Sequence, residues 1–291
     1  MRPNTIKEKI RAGQPVFGAF VNFPSPTVVE ICGLAGFDFV IIDAEHGPMT
    51  PQSCEEMVRA AECVGIVPII RVAQNVPQVI LRYLDIGALG VQLPMVNSRA
   101  EAEAAVRAVK YYPEGRRGLA SVRAAGYGLT QPLSEYVVEA NRQTMLITHV
   151  ETMEAVQNLP EILQVPGIDV VFIGPTDLSQ AMGYPGRPQE PVVQETIDRL
   201  IRDIRAAGKA VGTMREYLDL TRLSEHPGEY PDTMTMIANL LADHETIIRE
   251  LRKDIDECMD KYGDVGTSDF LTDLIRQHEK MAWFMRSFLQ E

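Results

Sequence analysis

Five ionisable residues stand where short apolar runs end. Glu45 and His46 follow Phe39-Val40-Ile41-Ile42-Asp43, Arg71 follows Val67–Ile70, Glu151 follows Met145–Val150, and Asp177 closes the run that starts at Val170. A β-branched run that stops at charged side chains reads as a buried strand, and parallel α/β sheets gather their catalytic groups at the carboxyl ends of such strands. Glu151 and Asp177, two carboxylates from separate strands, suit a hard divalent cation such as Mg2+ or Mn2+. Such a cation polarises a keto oxygen and stabilises the charge that develops there. Arg71 offers a planar two-pronged donor to a substrate carboxylate. His46, flanked in sequence by carboxylates, moves a proton near neutral pH. The implied ligand is a small 2-oxo acid. Singly, each residue also reads as structural: a helix cap, an ion-pair partner or a hydrogen-bonded core histidine. Convergence of all five on one face favours a site.

The elements that must position these groups alternate. Apolar runs at Pro15–Asn22, Phe39–Glu45, Val67–Val72, Gly90–Val96, Met145–Glu151, Val170–Asp177 and Ala210–Met214 are separated by helical patterns such as Ser98–Tyr111 and Val192–Ala207. Strands alternating with helices predict a parallel sheet. No glycine-rich nucleotide loop follows the first strand, so a TIM-type (β/α) barrel is preferred over a doubly wound sheet. An eighth strand does not follow. After a Pro/Gly-rich break at His226–Pro231, Asp232–Tyr262 and Thr267–Leu289 each carry an apolar stripe at helical spacing and are joined by Gly263-Asp264-Val265-Gly266, a helical hairpin. The chain therefore divides into an α/β barrel truncated at about seven strands, residues 1–213, and an all-α hairpin segment, residues 214–291.

Composition sets limits. The net charge of −12 argues against nucleic acid and anionic membranes as partners. From Met214 onward nine Lys and Arg face 17 Asp and Glu, so two thirds of the excess lies in the hairpin segment. No apolar run approaches the roughly 20 residues of a membrane span. The start of the chain lacks the apolar core of a signal peptide. Cys32, Cys54, Cys63 and Cys258 have no metal-ligand spacing and form no disulfide framework, which fits a reducing cytoplasm.

Residues 1–213 resemble the metal-dependent class II pyruvate aldolases of the 4-hydroxy-2-oxoheptanedioate and 2-dehydro-3-deoxyglucarate aldolase type. The motifs that carry the resemblance are Asp43-Ala44-Glu45-His46-Gly47, Ile70-Arg71-Val72, Leu84-Asp85-Ile86-Gly87-Ala88, Tyr112–Gly118, Val150-Glu151-Thr152 and Phe172–Ser179, in family order. It implies Glu151 and Asp177 as ligands of Mg2+, Mn2+ or Co2+, and Arg71 over pyruvate and its enolate. It further implies His46, paired with Asp85, as acid and base for a 4-hydroxyl. The loop of Gly174, Pro175, Thr176 and Asp177 would offer backbone N–H groups to the pyruvate carboxylate. The implied reaction is retro-aldol cleavage of a 4-hydroxy-2-oxo acid to pyruvate and an aldehyde, in a homo-oligomer. Where the relatives commonly carry Gln two residues before the metal glutamate, this chain has His149.

From about Thr213 the chain resembles instead the carboxyl half of a ferritin-like, starvation-induced DNA-protection protein, through Leu240–Glu245, Gly263–Leu271 and Gln277–Trp283. The helices that bear that family's ferroxidase ligands have no counterpart here. His244 and His278, on the apolar stripes, read as core histidines, and the segment reads as structural. Two further readings stand beside the aldolase: a non-catalytic chimera, and a ferritin-like iron-storage or assembly module.

Overall fold

Along each apolar run the side chains alternate between two faces, and that alternation builds the first unit. The structure, a computed structural model, describes residues 1–214 and 232–289. Strands β1 (Gly18–Val21), β2 (Phe39–Asp43), β3 (Val67–Arg71), β4 (Gly90–Leu93), β5 (Met145–Val150), β6 (Val170–Ile173) and β7 (Ala210–Thr213) pair in parallel and in sequence order. Between them run α1 (Thr5–Arg11), α2 (Pro26–Leu34), α3 (Pro51–Val64), α4 (Pro77–Asp85), α5 (Arg99–Val109), α6 (Leu133–Gln143), α7 (Met153–Leu163), α8 (Pro175–Ala181) and α9 (Pro191–Ala206). One set of strand residues, among them Ile41, Ile69, Met145 and Ile147, packs inside the curled sheet. The alternate set, Val40, Ile42, Ile70, Val91, Leu146 and Val171, packs outward on Met57, Ile80, Leu84, Leu159, Ile197 and Leu200 of the helices. Among the described residues no strand joins β7 to β1, so the seven-stranded sheet is curled into a half-barrel that stays open there.

The helices begin where the sequence offers caps, and this fixes the strand ends. Thr50 and Ser53 form a reciprocal capping box at α3, with Pro51 at its first position, and Ser98 and Glu101 do the same at α5. Thr152 caps α7 by accepting from the N–H of Ala155, so Glu151 is held between the last residue of β5 and a helix cap. One expected strand is shorter than its apolar run. β6 stops at Ile173, and Pro175 opens α8, so Asp177 lies in the first turn of a helix rather than at a strand end.

The chain forms two compact units, Met1–Arg215 and Glu216–Glu291. In the second, α10 (Thr233–Glu257) and α11 (Val265–Leu289) form an antiparallel hairpin through a π-turn at Cys258–Tyr262 and a left-handed Gly263. The break at His226–Pro231 lies outside the described residues. Its seam is narrow: Ile248, Ile275 and Ala282 are buried, with Leu241, Leu251 and Ile255 against them. Met259, Met281 and Phe288, which fall at the helical spacing of the same stripes, are exposed, because two helices cover only part of each apolar face. Among the described residues no helix is long and apolar enough to cross a membrane.

Candidate functional site

Asp43, the last residue of β2, is 2% exposed and faces the half-barrel interior, two positions beyond Ile41. The β2–β3 register places Arg71 directly opposite it. The two form a bidentate pair, Arg71 Nε donating to Asp43 Oδ1 at 2.9 Å and Nη2 to Oδ2 at 2.6 Å. Oδ1 also accepts from the backbone N–H of Glu45 and of His46, which folds the chain back over the strand end. Gly47 completes this turn by necessity of space: a Cβ there would lie 2.5 Å from Asp43 O and 2.6 Å from Asn22 O.

The guanidinium of Arg71 stands 5.0 Å over the ring of Phe20 and 3.3 Å, through Nε, from Glu45 Oε2. Among the described residues no acceptor meets its Nη1. His46 sits at the rim with its side chain 64% exposed, its Nε2 3.8 Å from Glu45 Oε2. Burial pushes the Asp43 carboxyl up, but Arg71 and the two backbone N–H groups outweigh it and hold the carboxyl below its ordinary value. At Glu45 burial prevails and, with help from the nearby Glu151 charge, raises the carboxyl despite Arg71 and His46.

Glu151 is 5% exposed and gripped at both oxygens: Oε1 accepts from Met95 N–H at 2.7 Å, Oε2 from His149 Nδ1 at 2.8 Å. Burial raises this carboxyl, yet His149, the Met95 N–H and Arg71 together bring it below its usual value. Met95 reaches its position only by taking a left-handed backbone, φ 54°, which costs a non-glycine residue about 1–2 kcal/mol. The His149 ring is buried and stacks on Phe172 at 5.0 Å, and its Nε2 has no partner. Gln92, opposite Arg71 on β4, is fully buried with neither amide atom paired.

Gly174 lies against the same carboxylate, since a Cβ on it would sit 3.1 Å from Glu151 Oε2. Asp177, exposed, follows in the first turn of α8. Of the expected N–H donors, Gly174 turns its own toward Val150 O and Pro175 has none, which leaves the first-turn groups of Thr176 and Asp177. Asp85 is not brought to His46 within the chain. It ends α4, which runs against the strands, so it lies near the amino end of the sheet, where it pairs with Arg117 Nη2 at 2.8 Å. A cleft of about 560 Å3 lined by Glu62, Gly87, Leu89, Arg123 and Tyr127 also contains none of the site residues.

Among the described residues no three His, Cys, Asp or Glu stand together as a complete metal cage. The donor set nonetheless fits a hard cation that keeps water or substrate in its remaining positions. Glu151 is ionised with one lone pair spare on each oxygen, and the Gly174 backbone leaves its face open. Sequence reasoning passed over Asp43, Phe20 and Met95. The inward parity of Asp43 with Ile41 was a usable signal; a backbone donor such as Met95 N–H leaves none.

Two outcomes follow from this geometry. Arg71→Ala strands a buried carboxylate and should cost about 3 kcal/mol in chemical denaturation at pH 7. Because the folded Asp43 carboxyl is lowered, the pair's contribution is present above about pH 4 and is lost as pH falls through the folded value, so the variant's deficit should shrink in acid. Gly174→Ala should push Glu151 Oε2 off His149, read as a change in the imidazole nitrogen resonances, with about 1 kcal/mol of stability lost.

Residues 16–222 match the HpcH/HpaI aldolase/citrate lyase family, and residues 192–291 match the ferritin-like domain, the two matches overlapping at 192–222. The 4-hydroxy-2-oxo-heptane-1,7-dioate aldolase of Shigella sonnei (strain Ss046) is 38% identical over 246 residues, covering 82% of this chain and 94% of the relative. The crystal structure of an HpcH/HpaI aldolase/citrate lyase family protein from Burkholderia cenocepacia J2315 superposes with a TM-score of 0.70 at 30% identity, over 74% of this chain and 89% of that one. The HpcH/HpaI aldolase from Desulfitobacterium hafniense DCB-2 gives 0.68 at 31% identity, over 74% and 86%.

Proposed function

The chain belongs to the HpcH/HpaI aldolase/citrate lyase family of carbon–carbon lyases, and from that premise we propose that it is a divalent-metal-dependent aldolase cleaving a 4-hydroxy-2-oxo acid to pyruvate and an aldehyde. The observation that carries this reading is the arrangement of Glu151, fixed by Met95 and His149, on the same mouth as Arg71, Glu45 and His46. Glu151 and Asp177 would hold the cation, Mg2+, Mn2+ or Co2+, which supplies Lewis-acid polarisation of the keto oxygen. The N–H groups of Thr176 and Asp177, in the loop begun by Gly174 and Pro175, receive the substrate carboxylate.

Arg71, held flat by Asp43 and Phe20, turns its free Nη1 toward the keto oxygen, where charge gathers as the C3–C4 bond breaks. His46 removes the 4-hydroxyl proton, the C3–C4 electron pair passes into the enolate of pyruvate, and the aldehyde leaves. The proton then returns to C3 to give pyruvate. Within one chain Asp85 pairs with Arg117 at the other end of the sheet and takes no part in this scheme. Residues 1–213 carry the chemistry; residues 214–291 serve assembly of a homo-oligomer, in the cytoplasm, with neither nucleic acid nor membrane as partner.

Pyruvate release from 4-hydroxy-2-oxoheptanedioate, measured with added Mn2+ and with EDTA, tests the reading. Metal-dependent release is expected, falling at least about 100-fold in Glu151→Gln and Arg71→Lys. Absence of release from protein folded by circular dichroism would overturn it in favour of a chimera that folds without catalysing.

A further inference from the structure

The narrow seam of the α10–α11 hairpin contains one polar layer. His244 on α10 and His278 on α11 face each other with their Nδ1 atoms 2.8 Å apart and ring centroids 4.9 Å apart. One turn to either side the seam is apolar, with Leu241 and Ile248 on α10 and Ile275 and Ala282 on α11. Two imidazoles in that layer give up hydrophobic burial in a seam that has little to spare, and a pair of leucines would fill the same space. Both rings are only partly buried, so water and ions reach them.

We propose that His244 and His278 form a two-imidazole binding site for a borderline divalent transition-metal ion, Cu2+ above all, that belongs to the hairpin and is independent of the aldolase site. Two nitrogens 2.8 Å apart subtend about 90° at an ion held by bonds of about 2.0 Å, the cis angle of square-planar or tetragonal coordination. That geometry and imidazole ligation select Cu2+ or Ni2+, with Cu2+ first in affinity. Without an ion the layer is closed by one Nδ1–H···Nδ1 hydrogen bond. A tautomeric shift to Nε2–H and a turn of each ring away from the N···N axis would free both Nδ1 lone pairs for the ion, with no net loss of protons.

The surroundings complete the selection. Burial holds both imidazoles below their ordinary pKa, and each is thus in its neutral, ligating form at pH 7. The carboxylates that would recruit a harder ion are engaged: Glu245 with Arg286 at 2.8 Å and Glu279 with Arg252 at 2.6 Å. Asp243, beside His244, adds negative charge toward the layer. Water fills the remaining positions, since among the described residues no third His, Cys, Asp or Glu joins the pair.

Cu2+ titration of the full chain at pH 7.5, followed by calorimetry and electron paramagnetic resonance, decides the matter. The comparison is the double variant His244→Leu/His278→Leu, whose apolar layer keeps the hairpin folded, as checked by circular dichroism and thermal melting. The wild type should bind one more equivalent of Cu2+ per chain than the variant, and the difference spectrum should carry nitrogen splitting from two imidazoles. Mn2+-dependent pyruvate release should be equal in the two proteins. Equal Cu2+ uptake with superimposable spectra would overturn the proposal and leave the pair as a layer that only fixes helix register.

Discussion

The buried Asp43–Arg71 pair is the constraint on which the catalytic end of the molecule depends. A carboxylate at the interior end of β2 is tolerable only because the guanidinium opposite it satisfies both oxygens. The same carboxylate then anchors the backbone of Glu45 and His46, so one ion pair positions three side chains. Arg71 is in turn fixed in plane by Phe20 and drawn toward Glu45. The arginine thus has Nε and Nη2 committed to structure, while no described residue accepts from Nη1. Under the proposed function, the interaction that holds the strand ends together would also set the plane of the arginine toward its ligand.

The second half of the site repeats this economy with other means. Glu151 is ionised although buried, because a histidine and a backbone N–H neutralise the cost of desolvation. The left-handed turn at Met95 and the missing side chain at Gly174 are local costs borne to give this carboxylate its place. Glu45, close to Glu151 but less well satisfied, shows the opposite shift.

How much of this could be read in the chain depends on the kind of interaction. Short apolar runs announced all seven strands, most clearly β2 to β5, where burial on both faces leaves a continuous apolar signature. Glu45, His46, Arg71 and Glu151 were legible as polar ends of those runs. Asp177 was legible as a residue but not as a helical one, although Pro175 marks the helix start. The Arg117 partner of Asp85 lies 32 positions away in a connecting segment, beyond any periodicity. Met95 acts through its backbone and so leaves no trace in residue type. The facing of His244 and His278 required the register of two helices, which a stripe on each helix does not give.

The open edge of the half-barrel bears on the site less than its topology first suggests. The side chains and backbone groups that converge at the mouth come from β1 through the β6–α8 loop: Phe20, Asp43, Arg71, Met95, Glu151 and Gly174. These six adjoining strands are bound by an unbroken ladder of parallel pairings. Among the described residues the gap falls between β7 and β1, and across the interior Phe20 of β1 meets Phe172 of β6 edge to face at 6.0 Å. Phe172 is also the platform for His149, and Phe20 the platform for Arg71. The two aromatic rings therefore couple the arginine half of the site to the glutamate half directly through the lumen.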